Sequence, residues 1–416
     1  MTDKILFIIP DIEIPDFLVR EIQAKLAYVD ETIVSSHVGV GLAGITLNLR
    51  QSVDTIRSEH VVAKVNHLVK AMAEGAFKPR LSVLEDYLDR PTSYSDDPMK
   101  VLYQSREVVR EGSGYYSLGP LLSALVDFFA LRVLSAAGDF GAKPYRFPAL
   151  ISPGYLEKVK YFSNFPHSLS FVTHLREDMD VIEKFSANGR CHDGFVKPAD
   201  DSFAAPDAML SPTVCHHLYL SLTDSVLHEE GLIATAEGNC FRYESTNMES
   251  LERLWNFTMR EIIFVGSENF VIGGIKKTRD KLRQTLDDMA LAYKVESATD
   301  PFFIGNYRDQ AAYQSAFELK YEVRASLPFK NDTLAIGSYN RHKDFFGRNL
   351  NIKQSNGEFA QTGCVGFGYE RLAFAFICQH GIDPANWPAA PAAHYRQLSG
   401  NWHSNKTPAW GSVPTF

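Results

Sequence analysis

Cysteine is scarce in this sequence: Cys191, Cys215, Cys240, Cys364 and Cys378 are an odd number, widely spaced along 416 residues. That excludes a disulfide framework as the source of stability. With no export signal in view, the thiols are expected to lie in a reducing cytoplasm, either buried or metal-bound. Long apolar runs are missing too. The stretch Ile5 to Pro10 is far too short for a signal segment or a membrane span, and Asp3 and Asp11 bracket it, so no membrane association is expected. Nor is there an excess of basic charge: Lys and Arg number 42 against 50 Asp and Glu, a net charge of -8. Gripping a long nucleic acid by its phosphates normally needs a basic face, which this balance does not offer. Repeats and low-complexity runs are also absent. What remains is ordinary globular material, 45% hydrophobic and 22% charged. The length suits roughly two to three domains, with room for a core that needs no staple.

Residues 1–100 read as a small α+β unit for dimerisation or partner docking, with a strand over 4–9, a helix over 15–28, one or two strands within 32–49 and an amphipathic helix over 60–73. The polar, turn-rich run Arg-Pro-Thr-Ser-Tyr-Ser-Asp-Asp-Pro-Met at 90–99 is expected to be a linker, with a second unit over 101–416. There, apolar residues recur at helical spacing over 118–136, opened by Gly119-Pro120, and a short strand follows before Pro148. Strands are expected at 240–244, 260–266, 316–326, 332–339 and 363–368, with helices over 276–294 and 369–380. This order suits an α+β fold, an antiparallel sheet with helices packed on it.

Two strings could carry chemistry. In Cys240-Phe241-Arg242-Tyr243-Glu244, strand alternation would put Arg242 and Glu244 on one face. Arginine's planar fork suits phosphate oxygens, a carboxylate accepts from an exocyclic amine, and the later Phe257 could stack on a base. The plainer alternative is a surface ion pair beside a core phenylalanine. In Gly363-Cys364-Val365-Gly366-Phe367-Gly368-Tyr369-Glu370-Arg371, Gly366 and Gly368 would let a ligand lie against the backbone. Arg371 would enter from the first helical turn, where an anion is also favoured. Close packing at a strand-to-helix turn is the plainer reading of that string.

Taken in order, the helix leading to the strand with Pro148, the Phe-Arg-x-Glu followed by Arg-x-x-x-Phe, and the Gly-x-Gly-x-x-Arg resemble motifs 1, 2 and 3 of class II aminoacyl-tRNA synthetases, across 101–387. The resemblance implies a class II synthetase-like antiparallel sheet flanked by helices, with a homodimer built on motif 1. It implies that Arg242 holds the α-phosphate and the aminoacyl carboxylate, Glu244 meets adenine or ATP, and Arg253 reaches the γ-phosphate. Phe257 and Arg371 would enclose the adenine, with Arg242 and Arg371 as the catalytic pair. Glu318, Ser338 and Asn340 lie where Mg2+ and phosphate contacts of ATP arise in that family.

The cysteines sharpen the resemblance. Cys215, Glu261 and Cys364 stand before motif 2, at its end and at the start of motif 3. They resemble the zinc triad of atypical, methanogen-type seryl-tRNA synthetases and of their truncated relatives, the amino acid:[carrier protein] ligases. Two thiolates and a carboxylate suit Zn2+, and three protein ligands leave a fourth position open. In the family that position takes the amino group of the amino acid. Buried strand cysteines and a surface acid are the alternative reading of these three residues. His216 and His217 do not match the family pattern, and neighbours on a strand would point opposite ways. Asp300, in Ala298-Thr299-Asp300-Pro301-Phe302-Phe303, resembles an amine-holding aspartate of a substrate loop in the carrier-protein ligases; a turn-forming Asp-Pro is its alternative. The string 157–166 also resembles these ligases, with no chemistry assigned to it. Ile304 and Gly366 would wall a small pocket suited to glycine, alanine or serine.

The function so implied is ATP-dependent activation of a small amino acid as its adenylate, releasing pyrophosphate, and transfer to the phosphopantetheine thiol of a carrier protein. A tRNA acceptor is not expected, because only about 100 residues precede the catalytic unit and they hold no basic cluster. Seryl-tRNA synthetase-like aminoacylation and a non-catalytic nucleotide-binding paralogue are the alternatives.

Overall fold

The stretch Gln361–Gly368 is buried along nearly its whole length, and it runs through the middle of an eight-stranded sheet. From one edge to the other the sheet comprises Val83–Asp86, Tyr293–Ser297, Lys320–Leu327, Asp332–Lys343, Gln361–Gly368, Asn256–Gly266, Gly231–Phe241 and Lys143–Tyr145. All neighbours are antiparallel except the last pair, which is parallel. In this computed structural model the residues described are 4–50, 54–76, 81–192, 195–197, 202–228, 230–299 and 318–403.

Side chains alternate along each strand, so the sheet has two unlike faces. One carries Ile262, Phe264, Val323, Val365 and Phe367 into a core shared with the helices Pro120–Asp139, Glu268–Asp288 and Tyr369–His380. Pro120 stands at the first position of its helix, where a missing N–H costs nothing. The Glu107 carboxylate accepts from the free N–H groups of Leu121 at 2.9 Å and Leu122 at 3.2 Å. Its buried Leu122, Leu125 and Phe129 each contribute about 1.5–3 kcal/mol by leaving water. By length and composition this helix could cross a membrane, contrary to the expectation that no segment approaches that size; Asp127 and Arg132 interrupt the apolar run. Its burial against the other two helices explains the apolar content as core.

Two further expectations need correction. The stretch 90–99 is not a free linker, because the Ser93 and Tyr94 N–H groups both donate to the Gln379 carbonyl oxygen, at 2.9 and 3.0 Å. Val83–Asp86, before it, pairs with Tyr293–Ser297 as an edge strand of the large sheet. Four residues with two acids carry no strand signature of their own; the neighbouring strand supplies it. The large unit therefore begins no later than Val83. The second correction concerns 240–244: the strand Gly231–Phe241 ends before Arg242, and Glu244 opens a one-turn helix, Ser245–Asn247.

The N-terminal unit has three strands in the order Lys4–Ile8, Ile45–Leu49, Ile33–Val38. Its helices, Val19–Leu26 and Thr55–Ala73, bury Ile22, Leu26, Val61 and Val65 against Ile45 and Leu47. The second helix begins five residues earlier than the apolar periodicity indicates, because the Asp54 side chain caps it by accepting from the Arg57 N–H at 2.7 Å.

Candidate active site

The face of the large sheet opposite the helical core gathers the motif residues. In the ladder Glu261 stands opposite Gly366, and Gly366 opposite Ser338. Cys364 lies between Ile263 and Asn340. Directly opposed residues share a face, so Glu261, Cys364, Gly366, Ser338 and Asn340 all look the same way. A methyl group on Gly366 would sit 3.2 Å from Glu261 Cγ and 3.2 Å from Met259 Sδ. Glycine is what leaves the Glu261 carboxylate open at that point.

Cys215 reaches the same spot from another element, as the first residue of the helix Cys215–Ser221. Its N–H donates to Glu261 Oε2, so the carboxylate also meets the positive end of that helix. The thiol sulfurs of Cys215 and Cys364 and a Glu261 oxygen lie within 4.8 Å of one another, with residue exposures of only 4%, 2% and 3% respectively. Thr213 Oγ1 donates to Glu261 Oε1 at 3.2 Å and lies 3.5 Å from Cys215 Sγ. Cys364 Sγ is 3.6 Å from Glu261 Oε1, and Asn340 Nδ2 is 3.6 Å from the same sulfur. Burial pushes the Cys215 thiol and the Glu261 carboxyl above their ordinary pKa values. Hydrogen bonding to Cys215, then burial, pushes Cys364 well above its own.

Three acids crowded in a dry place favour their protonated forms unless a cation joins them. Two thiols and one carboxylate are a donor set suited to Zn2+, so these side chains fit that ion. The neighbouring histidines are engaged elsewhere. His216 is caged by Tyr155, Tyr161 and Phe346, with ring centroids 5.3–5.7 Å away, and burial lowers its pKa to about 3. His217 stacks on Phe147 at 5.4 Å and bonds Ser211 at 2.9 Å. They are separated from Cys215 by the turn of a helix, not by the strand alternation expected from sequence.

Beyond the strand end, the turn 242–247 brings the motif 2 residues to the mouth of this face. The Glu244 carboxylate is bonded by Arg253 and lies 3.6 Å from Arg371, which enters from the helix Tyr369–His380. Burial alone would raise Glu244's pKa, but the two guanidiniums outweigh it and hold it below its usual value. Arg242 Nε donates to the Pro212 carbonyl oxygen at 3.0 Å, and its guanidinium lies over the Phe257 ring, 5.4 Å from the centroid. Glu370 fixes the start of its helix by accepting from the Thr258 N–H with both oxygens, at 2.8 and 2.9 Å. The structure thus brings together Arg242, Glu244, Arg253, Phe257 and Arg371, although Arg242 and Glu244 are not strand residues.

Glu318 is not among them. It stands just ahead of the strand Lys320–Leu327 at φ +47 and lines a cavity with Ile272, Ile275 and Lys276 of the Glu268–Asp288 helix, behind the sheet. The acid on the open face is Glu322, opposite Ser338 in the ladder. Lys320 at 3.2 Å and Arg324 at 2.8 Å hold it ionised, outweighing the upward push of burial. The register that sets Glu322 opposite Ser338 is not visible in the sequence. Thr213 was also missed; its proximity to the thiols arises through the same nonlocal packing. Asp300 and Ile304 lie outside the described residues.

No known protein-family profile matches the chain. Among individual proteins, amino acid–[acyl-carrier-protein] ligase 1 of Bradyrhizobium diazoefficiens is 32% identical over 281 residues, spanning 66% of this chain and 83% of the relative. The chain belongs to this ligase family. Type-2 serine–tRNA ligase of Methanopyrus kandleri is 24% identical over 295 residues, covering 67% of this chain and 55% of that protein. A solved structure of M. kandleri seryl-tRNA synthetase with A. aeolicus tRNASec superposes with a TM-score of 0.70 at 20% identity, covering 95% of this chain and 78% of that one. This likeness makes the ligase fold that of a class II synthetase, α+β with a largely antiparallel sheet.

Proposed function

We propose that this ligase activates a small amino acid, glycine, alanine or serine, with ATP and transfers it to the phosphopantetheine thiol of a carrier protein. The observation that carries the reading is the convergence, on one sheet face, of the Arg242–Glu244–Arg371 group with the Cys215–Glu261–Cys364 group across Gly366. A site for a nucleotide and a site for an amine then lie side by side. The carboxylate of the amino acid would attack the α-phosphate, forming a mixed anhydride as the bond to pyrophosphate breaks. That displacement needs no protein nucleophile, so positioning and charge stabilisation carry the catalysis.

Arg242 would hold the α-phosphate and the reacting carboxylate, with Arg253 and Arg371 on the departing pyrophosphate and the base. Phe257 offers its ring to adenine. Ser338, Asn340 and Glu322 would face the Mg2+–phosphate end, Glu322 in place of Glu318. Cys215, Glu261 and Cys364 would hold Zn2+, which when bound supplies a Lewis acid for the α-amine. Gly366 would keep the floor between the two groups low enough for a small substrate. Transfer follows when the carrier thiol displaces AMP from the anhydride, giving a thioester. The reducing cytoplasm suits this chemistry and the five free cysteines.

A tRNA acceptor is the second reading, favoured by the breadth of the structural match to the tRNA-bound synthetase, which extends into the N-terminal unit. One assay separates the two: labelled glycine, alanine and serine with ATP, offered holo-carrier protein and total tRNA together. Label is expected on the carrier, released by hydroxylamine as a thioester. Label on tRNA instead would overturn the carrier-protein reading.

A further inference from the structure

The N-terminal unit touches the nucleotide-binding turn directly. Tyr28, two residues beyond the helix Val19–Leu26, donates its hydroxyl hydrogen bond to the Tyr243 carbonyl oxygen at 3.0 Å, between Arg242 and Glu244 in the chain. Ser245 Oγ donates to the Ala27 carbonyl oxygen at 3.0 Å, and Asn247 Nδ2 to that of Ala24 at 3.1 Å. Carbonyls at the end of a helix lack intrahelical partners, and here the turn supplies them. From the other side, the Tyr243 N–H donates to the Ser168 carbonyl oxygen at 3.1 Å, while His167 meets the Tyr28 ring edge-on at 5.0 Å. Ser245 itself has φ +52, a left-handed conformation that a residue with a side chain adopts only where its surroundings hold it. Burial first, then the charge of Glu244, raises the pKa of the Tyr28 phenol, so it remains a donor. Away from the turn, Arg20 pairs with Asp332 at 2.6 Å and ties the same helix to the strand that carries Ser338 and Asn340.

We propose that the N-terminal unit is a working part of the nucleotide site, in which Tyr28 is a positioning residue that fixes Arg242 and Glu244 through the backbone of Tyr243. The inference rests on the reading of Arg242 and Glu244 as ATP-binding. It assigns residues 4–76 a role in adenylation in addition to any role in docking or assembly. Because the contact is to main chain rather than to the charged side chains, its loss loosens the turn without removing a charge from the site.

The test uses the full-length chain, wild type and Tyr28→Phe, in amino acid-dependent ATP–pyrophosphate exchange. Phenylalanine keeps the ring against His167 and deletes only the hydroxyl. The KM for ATP is expected to rise about fivefold, the scale of one lost hydrogen bond, with kcat changed by less than about twofold. Amide hydrogen exchange in the peptide 242–247 is expected to quicken in the same variant, while the melting temperature holds within about 2 °C. Unchanged protection of 242–247 overturns the proposal, as does an unchanged KM in an active enzyme. An equal rise in KM on replacing the exposed Ile5 by serine also overturns it, since general loosening of the unit would then be the cause. Absence of exchange activity in the wild type would instead strike the adenylation reading, and the amide protection would still decide whether Tyr28 holds the turn.

Discussion

The side-chain donor atoms of Cys215, Cys364 and Glu261 lie within 4.8 Å of one another, and each group is pushed toward its protonated form. If zinc binds there as proposed, it would release protons from the thiols, and its apparent affinity is expected to climb with pH. Purified wild-type protein is expected to hold about one zinc per chain, and Cys364→Ser to bind it about tenfold or more weakly, read by metal analysis after dialysis against a chelator. A wild-type protein without zinc, or full retention by the variant, would contradict the assignment. At this scale the sequence was informative about residue type and poor about direction. Thiols and a carboxylate near three motifs could be singled out as a candidate donor set, whereas the places of Glu318, just ahead of the strand, and Glu322, on it, were not visible. The ladder puts Glu322 opposite Ser338, a partner sixteen positions away.

Among the elements, the strand Gln361–Gly368 and the helix Tyr369–His380 were legible because their signals are local: a short glycine-bearing apolar run, then an apolar helical run. The hairpin Gly231–Phe241 with Asn256–Gly266 was legible in part. Its length exceeds the expected segments, since pairing on both sides stabilises residues whose own preference is weak. Val83–Asp86 was illegible for the same reason, its strand character coming wholly from Tyr293–Ser297. The helix Cys215–Ser221 was missed because its start, Cys215-His216-His217, was read by strand alternation. Gly366 gives this scale its test. Gly366→Val puts methyl groups where a Cβ already comes within 3.2 Å of Glu261, so the KM for the amino acid is expected to rise about tenfold or more. Valine suits a strand, so steady-state kinetics beside a melting curve will separate crowding of the site from loss of the fold. An unchanged amino-acid KM would show that the substrate does not lie over Gly366.

For the whole molecule, the large sheet stops at Lys143–Tyr145, a three-residue edge, and the preceding helix leaves Leu131 and Leu134 56% and 41% exposed. An apolar face beside a short open edge suits a two-fold partner. Light scattering at micromolar concentration is expected to give twice the chain mass, and Leu131→Asp with Leu134→Asp to give the single mass; a wild-type monomer would refute it. The expected boundary near 100 does not match the pairing of Val83–Asp86 with the large sheet. The polar run 90–99 has the composition of a linker, yet Gln379 ties it to the large unit.

The pairing of Glu244 with Arg253 and Arg371 also bears on how the protein discriminates among anions. A free cluster of arginines would attract any polyphosphate, with an affinity that collapses as salt is added. Here one carboxylate already answers one of the two positive charges, so on the proposed reading an incoming nucleotide would exchange partners instead of filling an electrostatic void. Phosphate alone gains little from that exchange. On the proposed reading, a ligand that also brings a base to Phe257 and to the freed carboxylate would recover what the arginines give up, and a nucleoside triphosphate would be preferred over bare polyphosphate through a contact made before either arrives.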